Sequence, residues 1–135
     1  MNKHVYLRAY LAGIAMPTMF MLIVLTFFIV ARFVYNMPVA IERLLVFPMA
    51  VVPNLWGVWN VLRVRLDSRH RLPLGIHGAT LVVLLAPVGL TVARALDILT
   101  VTPGLIITVA PVGLVVYYLA WKHIVGFFNK VVEVE

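Results

Sequence analysis

The sequence contains no cysteine and no glutamine, and its one serine is Ser68. Disulfides, thiolate nucleophiles and cysteine-based zinc or iron–sulfur sites are thereby excluded. Acidic residues are scarce as well: Glu42, Asp67, Asp97, Glu133 and Glu135 are the full set, against 11 lysines and arginines. All five lie at the ends of apolar runs or between them, so the intramembrane carboxylate that a proton-coupled carrier loads and unloads is missing. The apolar runs also lack the serine, paired aspartates or His–Glu metal motif of an intramembrane hydrolase. No enzymatic activity is expected.

What the chain has in excess is apolar surface. Of its 135 residues 64% are hydrophobic and 12% charged, and the mean hydropathy is +1.06. A globular domain is about half apolar and about a quarter charged. The excess is gathered into runs: residues 9–31, 44–62, 72–93 and 98–121 carry no Asp, Glu, Lys or Arg and make up 88 of the 135 positions. This excludes a soluble enzyme and a disordered chain. It also excludes a nucleic-acid-binding domain, in spite of a pI near 10.2.

A hydrocarbon core of about 30 Å takes roughly 20 helical residues. The four runs, of 23, 19, 22 and 24 residues, each suffice for one crossing. None alternates polar with apolar, so spanning strands are excluded and helices alone satisfy the backbone in lipid. The expected fold is all-α, an integral membrane four-helix bundle in a single transmembrane domain over 1–135, with helices at about 9–31, 44–63, 74–96 and 101–123. Residues 124–135 are too short to span and carry Phe127, Phe128 and Val131 among Lys130, Glu133 and Glu135. They are expected as a tail along the inner interface. The first run is too long for a cleaved signal peptide and reads as a retained helix.

Orientation follows from the basic residues near helix ends. With the N-terminus inside, Lys3, Arg8, Arg63, Arg65, Arg69, Arg71, Lys122 and Lys130 collect on one side, leaving Arg32, Arg43 and Arg94 on the other. Both termini and the arginine-rich 63–71 segment are therefore expected at the cytoplasmic face of a bacterial-type inner (cytoplasmic) membrane. Arg63, Arg65, Arg69 and Arg71 are the candidate contacts to anionic lipid headgroups or a phosphate group.

Proline interrupts every span, at Pro17, Pro48, Pro53, Pro87, Pro103 and Pro111. An interior proline lacks an N–H and displaces the carbonyl four residues earlier, so kinked helices are expected, with the Met49, Val83 and Ile107 carbonyls freed. Such carbonyls either find threonines and packed neighbours or offer ligands to a solute. On helix 3, His77, Thr80, Pro87, Thr91 and Arg94 share one face; on helix 4, Gly104, Thr108, Pro111, Tyr118 and Lys122 do. These two stripes are expected to meet at a seam. Ala86-Pro87-Val88-Gly89-Leu90 in helix 3 recurs as Ala110-Pro111-Val112-Gly113-Leu114 in helix 4, either by coincidence or as an inverted repeat.

Helix 2 places Trp56, Trp59, Asn60 and Arg63 in one sector, with Asn54 nearly opposite. Trp59, Asn60 and Arg63 fit an interfacial belt of indoles and a snorkelling arginine. Asn54 lies deeper, directly after Pro53, and an amide at that depth must be bonded to another helix, another subunit or a ligand. Of the histidines, His77 sits among Gly75, Gly78 and Ala79, and His123 lies at the inner end of helix 4. They are the weak candidates for a metal, or for the axial ligand of haem or chlorophyll, with no cofactor as the first expectation.

The expected function is that of a small non-enzymatic membrane protein acting through contacts, as an accessory or scaffolding subunit or as a homo-oligomer. Its partners would be the lipid bilayer, anionic headgroups and itself or other membrane subunits. Ligand or partner contacts are expected at Asn54, Trp56, Trp59, Asn60, Thr80, Pro87, Thr91, Thr108, Pro111 and Tyr118. The alternatives are a small-solute or ion transporter or channel built on the proline-broken helices, and a haem- or pigment-binding subunit using His77.

Overall fold

The computed structural model describes residues 4–66, 72–95 and 102–134. Among them every regular element is a helix. α1 is Val5–Phe33, α2 runs over residues 41–66, α3 is Leu74–Ala95 and α4 is Pro103–Val131. Val5–Phe33, Leu74–Val92 and Pro103–Val131 are long and apolar enough to cross a membrane, which marks an integral membrane protein. Four spans were expected, and α2 is the one that falls outside this set. Its unbroken α-helical part, Ala50–Leu66, is 17 residues long, because the π turn Leu45–Met49 precedes it.

Two helices widen locally. In α2 a π turn occupies Leu45–Met49, around Pro48 and ahead of Pro53. Pro48 has no N–H for the carbonyl four residues earlier, and i→i+5 pairing substitutes the next amide along. In α4 a π turn at Ala120–Val125 joins Pro103–Leu119 to Gly126–Val131. Residues 124–131, within the 124–135 stretch expected as an interfacial tail, are thus the last turns of α4. The wider turn keeps residues four apart close to one face, and Trp121, Val125 and Asn129 are all buried.

The helices pair as two hairpins. On α1, Ala9, Ala12, Gly13 and Pro17 form the buried stripe, against Pro53, Trp56, Gly57 and Asn60 of α2. The backbones touch here: a Cβ on Gly13 would lie 2.7 Å from the Trp56 carbonyl oxygen, and one on Gly57 would lie 2.6 Å from the Tyr10 ring. The α3–α4 hairpin is equally close, since a Cβ on Gly78 would lie 2.5 Å from the Trp121 ring. Small residues allow this approach, and in lipid, close packing replaces the hydrophobic effect as the force between helices.

The hairpins meet through Trp56 of α2, whose ring lies 5.0 Å from Tyr117 and 5.5 Å from Trp121 of α4. Leu81, Ala120 and Val125 complete this core. Among the residues whose burial is described, apart from Ile41 and the mid-helix Pro53, the buried residues lie in the half of each helix nearer Arg8, Arg63, Leu74 and Lys130. In the other half the helices present apolar surface outward, and Pro103–Leu119 contains no buried residue.

Candidate functional site

The polar side chains within the helices separate into a buried group and an exposed one. The buried group is Asn60, Arg63 and Asn129. Asn60 Nδ2 donates to the Ala9 carbonyl at 2.7 Å and to Asn129 Oδ1 at 2.8 Å. Arg63 Nε donates to Asn60 Oδ1 at 3.1 Å, and Asn129 Nδ2 approaches the same oxygen at 3.5 Å. An amide offers two donors and two acceptor sites, and all four are engaged. The knot ties α1, α2 and α4 at one level. Just beyond it, Arg8 of α1 pairs with Glu133 after α4 at 3.1 Å, the arginine half-buried and the glutamate exposed.

This placement differs from the expectation for two residues. Arg63 is turned inward onto Asn60, 4% exposed, instead of reaching for headgroups. Trp59 is half-buried, and its Nε1 donates to the His77 carbonyl at 2.9 Å, so it links α2 to α3 in place of anchoring in a lipid belt. Arg65 is exposed; Arg69 and Arg71 lie outside the described residues.

Of the two stripes expected to meet between α3 and α4, Tyr118 lies in the contact, and the threonines and prolines do not. Thr80, Thr91 and Thr108 are exposed, and each hydroxyl donates to the carbonyl four residues earlier in its own helix, at 2.9, 2.8 and 3.0 Å. Pro87 and Pro111 are exposed as well. The contact runs through Gly75 against the Tyr118 ring and Gly78 against Trp121, because a glycine admits an aromatic ring more closely than a threonine can. These two rings lie against Gly75 and Gly78, the small neighbours of His77. His77 is half-buried and His123 exposed, and among the described residues no three His, Cys, Asp or Glu side chains gather as metal ligands.

Asn54 stands apart. Its Oδ1 accepts from the Tyr10 hydroxyl of α1, and its Nδ2 donates to the Ala50 carbonyl one turn back at 2.6 Å, yet the side chain remains exposed. Over residues 50–63 the exposed positions are Ala50, Asn54, Val58 and Leu62, four apart throughout. Every other residue of that stretch is buried or half-buried. Sequence periodicity placed Asn54 opposite Trp56 and Asn60; the partners Tyr10, Ala9 and Asn129 had no local signal, since they come from other helices.

No protein-family model, curated protein or solved structure matches this chain.

Proposed function

We propose that this protein is a membrane-embedded accessory or scaffolding subunit whose work is done by helix–helix contacts. In this reading residues 44–63 of α2 supply a fourth crossing, the fold is a four-helix bundle, and both termini and the 63–71 segment face the cytoplasm. The observation that carries it is the distribution of polar groups. The buried amides and Arg63 are spent on tying the chain's own helices together, the span threonines shown above bond to their own helices, and no carboxylate lies inside the apolar runs. Nothing in that inventory loads a proton, attacks a bond or strips the hydration from an ion. The apolar halves of the helices remain as surface for lipid and for partners.

The test combines topology with association. Because the chain has no native cysteine, single cysteines at Asn36, Leu66 and Val134 can be labelled by an impermeant reagent in intact cells and in inverted vesicles. Asn36 is expected to label from outside, and Leu66 and Val134 from the cytoplasm. Native mass spectrometry from mild detergent is expected to show a complex. A chain that is strictly monomeric and partnerless in its own membrane would remove the reading.

A further inference from the structure

We infer that the ridge Ala50–Asn54–Val58–Leu62 of α2 is a self-association surface, on which a second copy of this chain packs in parallel with Asn54 bonded to Asn54. The inference rests on the reading that this is a membrane protein acting through contacts, and it names the partner and the place. Asn54 is nine residues before Arg63 and twelve after Glu42. At 1.5 Å per residue it lies about 13 Å from the first and about 18 Å from the second, well inside the hydrocarbon. The other two helix-borne asparagines among the described residues, Asn60 and Asn129, are fully buried, whereas Asn54 faces outward.

Its hydrogen bonds can be counted. The bond from Tyr10 uses one acceptor site of Oδ1, and the bond to Ala50 uses one N–H of Nδ2. One N–H and one acceptor site are left over. Hydrocarbon can satisfy neither, and an amide left so is a driving force for helix association. A different partner helix would need a suitable polar side chain at this one depth. A second copy needs nothing more: an axis along the membrane normal brings the two Asn54 side chains to equal depth, and each donates the free N–H to the free acceptor of the other. This is the reciprocal pairing of an isologous interface.

The surrounding surface suits that geometry. Residues four apart form the ridges that interdigitate in the commonest helix packing. Ala50 is small, Val58 and Leu62 are 48% and 38% exposed, and no charged residue lies between Arg43 and Arg63, so the ridge from Ala50 to Leu62 is uncharged. α1 flanks the ridge through Tyr10, which holds the Asn54 oxygen and so fixes the amide's rotamer.

The test uses the full chain reconstituted in lipid bilayers over a range of protein-to-lipid ratios. The wild type is expected to form a dimer of twice 15.1 kDa. Asn54→Leu should weaken dimerisation about three- to thirtyfold, while Asn54→Gln, which keeps the amide, retains most of it. Independently, Val58→Cys in this cysteine-free chain should give a disulfide-linked dimer under mild oxidant, and Val115→Cys, on the exposed face of α4, should not. The Val58→Cys arm decides the matter even if Asn54→Leu fails to fold. A monomer at every ratio, or a dimer indifferent to Asn54→Leu with no Val58→Cys cross-link, overturns the inference. If the chain is monomeric alone but is isolated with a different membrane subunit, self-association is wrong and the reading as a contact protein stands.

Discussion

Asn60 and Asn129 lie sixty-nine positions apart in the chain and share a buried amide–amide hydrogen bond of 2.8 Å, with no exposed surface on either side chain. Asn60 is the hub, because it also holds the Ala9 carbonyl and accepts from Arg63, whereas Asn129 bonds to Asn60 alone among the contacts described above. Replacing Asn60 by Ala therefore leaves three groups short of a partner, and replacing Asn129 by Ala leaves one. Asn60→Ala is expected to cost about 1–3 kcal/mol and Asn129→Ala less, at about 0.6–1.7 kcal/mol. Reversible unfolding in mixed micelles would measure both. The double variant should cost less than the sum; strict additivity would mean that the pair does not interact.

The glycines give a second, internally controlled comparison. Gly13→Ala would drive a methyl group to 2.7 Å from the Trp56 carbonyl and 2.8 Å from the Gly57 Cα, both backbone atoms that cannot step aside. Gly78→Ala would meet the Tyr117 carbonyl at 2.5 Å. Each helix pair must then separate, at a cost of about 1–3 kcal/mol. Gly104→Ala meets nothing within 4 Å and should be neutral or slightly stabilising. If all three variants unfold alike, the close approach of α1 to α2 and of α3 to α4 is wrong.

Arg63 and Arg65, two positions apart, should behave differently. Arg63 is buried and donates to Asn60, while Arg65 is exposed. Arg63→Ala is expected to lower stability by about 1.5–3 kcal/mol, the range for a hydrogen bond from a charged group. Arg65→Ala should leave stability nearly unchanged and weaken the protein's preference for anionic over zwitterionic vesicles, in a salt-dependent way. Equal stability losses for the two would contradict the inward turn of Arg63.

That contrast also marks how far the sequence could be read. Charge-free runs and hydropathy reveal an all-helical membrane chain, and helical projection alone puts Trp56, Trp59, Asn60 and Arg63 on one face with Asn54 opposite. Projection cannot say whether a face turns toward lipid or toward a neighbour. Trp59 and Arg63 match the composition of an interfacial belt; what holds Trp59 inward is the His77 carbonyl of another helix, and what holds Arg63 is Asn60 of its own helix, an amide itself fixed by Ala9 and Asn129 of two other helices. Gly13 and Gly78 were equally silent, because the absence of a side chain acquires meaning only from the backbone or ring set against it. Residues 124–131 read as a tail because Lys130 and the end of the apolar run suggest an interface, yet the π turn at Ala120–Val125 carries Val125 and Asn129 onto the buried face.

The last expectation concerns pH at the opposite end of the bundle. Arg32 Nη1 donates to Glu42 Oε1 at 2.7 Å, across the connection between α1 and α2. This hydrogen bond, with a smaller contribution from the residue's own backbone amide, holds the Glu42 carboxyl below its usual value of 4.5. A carboxylate whose folded pKa is depressed adds stability that is fully present above its unfolded pKa and is lost as pH falls through the folded one. The contribution should thus be intact at pH 7, begin to fade below about pH 4.5 and vanish once Glu42 is protonated in both states. Glu42 is 70% exposed, so solvent screens the pair and the effect on unfolding is small. Its clearest reading is the titration itself, followed by the side-chain carboxyl carbon in NMR. The Glu42 midpoint should lie below 4.5 in the native chain and rise toward that value in Arg32→Gln. An unchanged midpoint in Arg32→Gln would show that the guanidinium is not what lowers it.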